Sequence, residues 1–202
     1  MSEKPATDSY KSIYEPSKGL YKELGSKFIS FACPVSSGDE IKGILSKLRG
    51  EYFDAKHHCY AYRLGLSGDI WRTSDDGEPS SSAGRPILGQ IISYGLSDIL
   101  IVVVRYFGGT KLGIPGLMKA YKSAAADAIE NSRIIEKTAF KALSFSFNHI
   151  DMEAVMKLVK SYGVEITKQS FDMECSMTIN VRVSKYSSFL NAISDKIYYT
   201  HE

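Results

Sequence analysis

The run "DILIVVVRYF", residues 98 to 107, constrains the fold more than any other part of this chain. It is almost continuously apolar and rich in β-branched side chains. A strand with no polar face belongs at the centre of a sheet that is covered on both sides. The chain must therefore supply apolar layers to flank it, and three segments have that character. "SGDEIKGILSKLRG" places Ile41, Ile44, Leu45 and Leu48 at i, i+3, i+4 and i+7. With Ser37 as a cap and Asp39 and Glu40 in the first turn, it predicts an amphipathic helix ending at Gly50. Pro86 opens a second helix with Ile87, Leu88, Ile91 and Ile92 on one face. Gly108, Gly109 and Gly113 lead into a third helix over 114–131, where Ile114, Leu117, Met118, Tyr121, Ala125 and Ala128 keep helical spacing.

Further strands are expected at "SKFISFACPV" (26–35), ended by Pro34, and at "HHCYAYRLG" (57–65) and "DIWRTSDD" (69–76), paired around Ser67 and Gly68. Residues 1–24 are polar and read as a loosely held lead-in, with residues 25–135 as a first domain. Residues 138–202 have their own rhythm. A strand at 139–148 precedes a helix marked by Ala154, Leu158 and Val159 that ends near Gly163. "VEITKQSF" and "CSMTINVRVS" make a hairpin. Tyr186, Phe189, Leu190, Ile193 and Ile197 mark a last helix, and "IYYTHE" is a closing strand. That order is the split βαβ pattern of a ferredoxin-like domain. The fold class read from these elements is α+β with α/β-like layers.

Composition narrows the function classes. The 202 residues are 44% hydrophobic and 24% charged with a net charge of +2, so no global charge points to nucleic acid or an anionic membrane. The three cysteines, Cys33, Cys59 and Cys175, form no CxxC, which argues against a disulfide framework or zinc ribbon and suits a reducing cytosol. No apolar run is long enough to span a bilayer, so a cytoplasmic protein without membrane contact is expected.

Two loops carry the chemistry. No GxSxG occurs, "GGTKLG" has its Lys before its last Gly and is not a Walker A loop, and Gly113-Ile114-Pro115-Gly116 fits the GxxG of KH domains only as a four-letter pattern. The four histidines lack metal-cage spacing, so neither a metal site nor a cofactor is expected. Between Ile99 and Ala126 there is no acid, while Arg105, Lys111, Lys119 and Lys122 all lie in that window. Arg105 closes the central strand, at the edge where open α/β layers bind ligands. The glycines Gly108, Gly109 and Gly113 leave amides uncovered beside a helix start, which together make an anion site. Lys119 and Lys122 extend it along one helix face. The opposing reading pairs Arg105 with Asp75, Asp76 or Glu78, locking two loops together. "SDDGEPS" has the same two readings: Asp75, Asp76 and Glu78 hold a cation or supply a base, or they are turn chemistry around Gly77 and Pro79. Ser80, Ser81 and Ser82 are candidate caps for the next helix.

Taken together, "GRPIL" from Gly84, "RYFGGTKLG", "SDDGEPS" and "KGLYKELGSKFISFACPV" resemble the signature of the YigZ/IMPACT family, over nearly the whole chain. The length and the βαββα tail resemble the bacterial branch rather than the eukaryotic one, which carries an RWD domain at its N-terminus. The resemblance implies a first domain like the second domain of a small-subunit ribosomal protein, a βαβ layer also used by ribonuclease PH and elongation factor G. The second would be like the C-terminal ferredoxin-like domain of elongation factor G. Eukaryotic IMPACT proteins restrain a translation-initiation kinase by competing for its activator, and nucleic-acid binding is suggested for bacterial relatives from fold and surface. By match to the family pattern, Asp75, Asp76, Gly77, Glu78, Arg85, Arg105, Gly108, Gly109, Lys111 and Gly113 are the hallmark positions. Ser81-Ser82 stands where Gly-Thr is commoner, and Pro115 where Gly is commoner. The proline removes one amide from any cradle there. The function expected is a non-catalytic, regulatory, translation-linked module. It would bind RNA or the ribosome, and translation factors, through Arg85, Arg105, Lys111, Lys119 and Lys122 around the glycine loop. The alternatives are a phosphate- or metal-dependent enzyme acting on a phosphate-containing substrate such as RNA, with Asp75, Asp76 and Glu78 catalytic, and a protein-protein adaptor.

Overall fold

The structure is a computed structural model that describes residues 8–171, 174–197 and 199–201. Two compact units divide between Lys137 and Thr138. Tyr10–Lys137 forms one, and the described residues from Thr138 onward form the other together with Asp8 and Ser9.

In the first unit the elements run β1 (Ser9–Ile13), β2 (Ser17–Glu23), β3 (Ser26–Pro34), α1 (Gly38–Glu51), β4 (His57–Leu64), β5 (Ile70–Ser74), α2 (Gly84–Ser93), β6 (Ile99–Tyr106), α3 (Gly113–Glu130) and β7 (Ile134–Thr138). Five strands make one sheet in the order β2-β3-β6-β4-β5, with β6 at its centre. Alternation along β6 serves two cores. Ile99, Ile101 and Val103 pack with residues of α2 and α3, while Leu100, Val102 and Val104 pack with Ile41 and Leu48 of α1. That is why its sequence is apolar at every position.

Every neighbouring pair in this sheet is antiparallel. The open α/β rule that placed Arg105 at a common carboxyl edge therefore does not apply, because adjacent strands end at opposite edges. Arg105 follows Val103 on the α2/α3 side, where it is buried and pairs in register with His57 and Phe28 on either side.

The lead-in expected over residues 1–24 instead contains two strands from residue 9 onward. β1 pairs with β7, and β2 is an edge strand of the main sheet. Their sequences look polar because little of each is buried against apolar neighbours. Ser12 and Ile13 are buried in β1. In β2, Gly19 lets α3 come close, since a Cβ there would stand 2.5 Å from the Ala128 nitrogen. The contact is sealed by polar bonds: Ser17 Oγ donates to the Ala128 carbonyl at 2.6 Å, and the Leu20 amide to Asp127 at 2.7 Å.

Helix faces also depart from expectation in detail. Ile87, Leu88 and Ile91 of α2 are buried, but Ile92 is exposed and Gln90 takes an inward position. On α3, Leu117, Tyr121, Ala125 and Ala128 face inward with Ala120 and Ala124, whereas Ile114 and Met118 are exposed. α1 is capped as its sequence predicts. Ser37 Oγ accepts from the Glu40 amide, and Glu40 accepts from Ser36.

The second unit runs β8 (Phe140–Phe147), α4 (Met152–Tyr162), β9 (Glu165–Phe171), β10 (Cys175–Arg182), α5 (Tyr186–Ile193) and β11 (Tyr199–His201). Its strand order, β11-β8-β10-β9, is the ferredoxin-like arrangement. Gly163 ends α4 in the left-handed conformation, at φ 63°. Leu143, Phe145, Phe147, Met177, Ile179 and Val181 alternate inward against Val155, Val159, Phe189 and Ile193. Among the described residues no helix is long and apolar enough to cross a membrane.

Candidate functional site

The acidic loop between β5 and α2 is built on hydrogen bonds to its own three acids. The Asp75 carboxylate accepts from the amides of Ser81 at 2.8 Å, Ala83 at 3.0 Å and Gly84 at 2.9 Å. It thus caps α2 from outside the helix, a role the sequence assigned to Ser80, Ser81 and Ser82. Ser82 instead donates to the Pro79 carbonyl. Asp76 sits at φ 42° and accepts from the His58 amide at 2.7 Å and from Arg49 at 2.9 Å. Its strained backbone is held by these partners on α1 and β4.

Glu78 reaches furthest into the unit. Its Oε1 accepts from Arg105 Nη1 at 2.6 Å and from the Tyr121 hydroxyl at 2.8 Å. The Glu78 and Arg105 side chains are only 4% and 7% exposed. The Cys59 thiol donates to the Asp75 carbonyl at 2.9 Å and lies 3.3 Å from the Tyr121 hydroxyl, closing a buried network. Burial drives the Cys59 thiol and the Tyr121 hydroxyl well above their ordinary pKa ranges, so both stay protonated. Arg105 also stacks over Phe28 and Phe107, at 5.4 and 5.7 Å. Arg105 thus stands in a buried ion pair with Glu78, with its Nη1 committed to that carboxylate.

Carboxylates so engaged leave little for a cation or a base to use. Among the described residues no group of three or more His, Cys, Asp or Glu side chains is placed to hold a metal ion.

The glycine loop divides into two kinds of position. At Gly108 a Cβ would stand 1.9 Å from the Gly25 carbonyl carbon, and its amide donates to Ser26 Oγ at 3.2 Å. It is a packing glycine whose amide is already used. Gly109 and Gly113 have φ of 90° and 68°, with open space at the Gly109 Cβ position and only an ordinary 3.9 Å contact with Pro115 at that of Gly113, so conformation selects them. Lys111 is exposed between them. α3 then begins without a side-chain cap.

The remaining cations lie on the helical face. Arg85, Lys119 and Lys122 line a groove of about 530 Å³ between α2 and α3, together with Pro86, Gly89, Gln90, Ser93 and Met118. None of these lining residues is acidic. Lys119 reaches Glu23 at 3.5 Å across exposed surface, a contact worth little in water. Arg85 lies over the ring of Trp71, 5.2 Å from its centroid, and Trp71 and Phe107 are half exposed. Sequence reading named the cations but missed Trp71, Gln90, Cys59 and Tyr121 as site residues. Only the aromatic character of Trp71 could have marked it, since the other contacts join segments far apart in the chain.

A model of the Impact N-terminal domain matches residues 24–129, a span that includes both loops, α2 and α3. The chain belongs to the IMPACT family. An IMPACT family member from Haemophilus influenzae is 31% identical over 176 residues, covering 85% of this chain and 84% of that protein. The IMPACT family member YigZ from Escherichia coli is 28% identical over 172 residues, covering 84% of each. A crystal structure described as that of a hypothetical protein superposes with a TM-score of 0.71 at 26% identity, covering 93% of this chain and 92% of the other. The IMPACT likeness thus extends through both units rather than the first alone.

Proposed function

We propose that this IMPACT family protein is a regulatory, translation-linked module that binds RNA, free or within the ribosome, along the α2–α3 groove. The observation that carries the reading is the groove itself, where Arg85, Lys119 and Lys122 stand with no carboxylate in the lining. Lys111 extends the basic surface past the start of α3. Trp71, which Arg85 overlies, offers a half-exposed ring beside the groove, and backbone cations with a stacking platform are what single-stranded nucleic acid needs. The link to translation rests on the family resemblance.

Relative to the sequence reading, Arg105 and Gly108 leave the RNA-binding surface, because Arg105 Nη1 is bonded to Glu78 and the Gly108 amide to Ser26. Asp75, Asp76 and Glu78 are read as structural, since backbone amides, Arg49, Arg105 and Tyr121 occupy them. Together Arg85, Lys111, Lys119 and Lys122 would neutralise up to four phosphates. Each phosphate on a single strand contributes about 0.7 to the salt slope, giving a slope near −3. RNA affinity should fall along that slope as salt rises, and Lys122→Glu should weaken binding and flatten it. RNA degradation is followed in the same samples, with and without magnesium and phosphate. No RNA binding at low salt would sink the reading, and degradation lost in Asp76→Asn would replace it with the enzymatic one.

A further inference from the structure

A separate cavity of about 310 Å³ opens between the acidic loop, the end of β6 and the start of α3. Small-molecule sites run from roughly 300 to 1,000 Å³, so the space suits one compact ligand. Pro79, Phe107, Leu112, Ile114 and Leu117 give it apolar walls. Its polar lining is the Glu78–Arg105 pair and Lys111.

Three observations give the ligand a sign. Glu78 and Arg105 in the lining offset one another, and Lys111 leaves the cavity with one positive charge in surplus. α3 has 18 residues and starts at this cavity with no side-chain cap, which leaves first-turn amides and the positive dipole end unsatisfied. Arg105 is 6% exposed, and although Nη1 is bound to Glu78, its Nε is buried with no hydrogen-bond partner. A buried donor without an acceptor is a standing cost, which an acceptor would relieve if a small shift of the Arg105 side chain turned Nε towards the cavity that it lines.

We propose that this cavity binds a small organic anion. Its compact apolar body lodges against Pro79, Phe107 and Ile114, and its single carboxylate or phosphate is directed to Arg105, Lys111 and the α3 amides. The apolar walls separate this ligand from an RNA backbone, which has no such body to bury. Inorganic phosphate alone would forgo most of the contact area. The site does not depend on RNA binding in the α2–α3 groove.

The test titrates the full chain with benzoate and with phenyl phosphate, following backbone amides by NMR. Inorganic phosphate and benzyl alcohol serve as the two half-ligands. At least one aryl anion should saturate, with shifts at Phe107, at 111–114 and at 116–117, and each half-ligand should bind at least about tenfold more weakly. Which aryl anion binds decides between carboxylate and phosphate. Ile114→Asp introduces a like charge at an exposed wall position, and an acid in a first helical turn suits the fold. It and Lys111→Glu should each weaken binding at least about tenfold, while the remaining amide spectrum stays unchanged. Lys122→Glu should leave aryl-anion binding intact even where it abolishes RNA binding, so the two readings fail independently. The proposal is overturned if neither aryl anion saturates at millimolar concentration, or if inorganic phosphate binds as tightly as phenyl phosphate. It is also overturned if Ile114→Asp binds like wild type or the shifts map to the α2–α3 groove.

Discussion

Glu78→Ala would leave the Arg105 guanidinium, in a side chain only 7% exposed, without its counter-charge. Removing one partner of a buried ion pair costs about 3–5 kcal/mol, because the survivor stays buried and charged. The Tyr121 hydroxyl loses its acceptor as well, a penalty of about 1–3 kcal/mol when taken alone. The two penalties overlap, since both donors meet one oxygen, and the neighbouring cavity lets water reach the gap. A total near 4 kcal/mol follows. With a urea slope of about 2 kcal/mol per molar, the unfolding midpoint should drop by about 2 M. Trp71 is the single tryptophan and lies on β5, so its fluorescence reports this unit alone. The double variant Glu78→Leu/Arg105→Met replaces the pair by apolar side chains and should recover to within about 1 kcal/mol of wild type. A loss below about 1 kcal/mol in Glu78→Ala would refute the locking role of the pair. So would a variant that keeps its stability and loses turnover of a phosphate substrate.

Asp75→Asn keeps one acceptor oxygen but sets an amide against the Ser81 N–H, so it should cost about 1–2 kcal/mol and speed amide exchange at the start of α2. Gly108→Ala drives a Cβ into the Gly25–Ser26 backbone and should destabilise by about 3 kcal/mol or more, while Gly109→Ala should be much milder in packing and limited to its positive φ. Burial holds the His58 imidazole below the ordinary histidine pKa, with Asp76 acting in the opposite direction. The unfolded chain therefore takes up this proton first. Stability should be complete above about pH 6.5 and decline as pH falls below it, and His58→Gln should reduce that slope in urea titrations at several pH values.

The central strand was legible because burial on both faces leaves a mark on every residue from Ile99 to Val104. α1 was legible because its cap and apolar stripe lie within one short segment. β1 and β2 were not, because Ser12, Gly19 and Ser17 owe their places to α3 and to the turn before β6, more than 80 residues away. The site shows the same division. Clustering of acids in "SDDGEPS" and of cations after Arg105 could be read directly. Which cation meets which acid could not, because Glu78 and Arg105 meet through the register of β6 and a shared contact with Tyr121 of α3. Nor does a sequence reveal that an antiparallel sheet has no common carboxyl edge. Gly108 and Gly109 look alike as letters, yet one is fixed by the Gly25 backbone and the other by its own dihedral angle.

β1 and β7 pair with each other, and the Tyr14 amide donates to the Arg133 carbonyl at 2.9 Å. The first unit therefore enters and leaves through the same small sheet. A unit whose ends meet can be treated as a cassette. It can be spliced into a host loop with little stretching of either chain, or its ends can be joined and new ones opened elsewhere. The turn at Ser67-Gly68 is a natural place for such an opening, because a cut there interrupts neither loop of the site. A permutant opened there would keep β6, α2 and α3 on one uninterrupted stretch of chain.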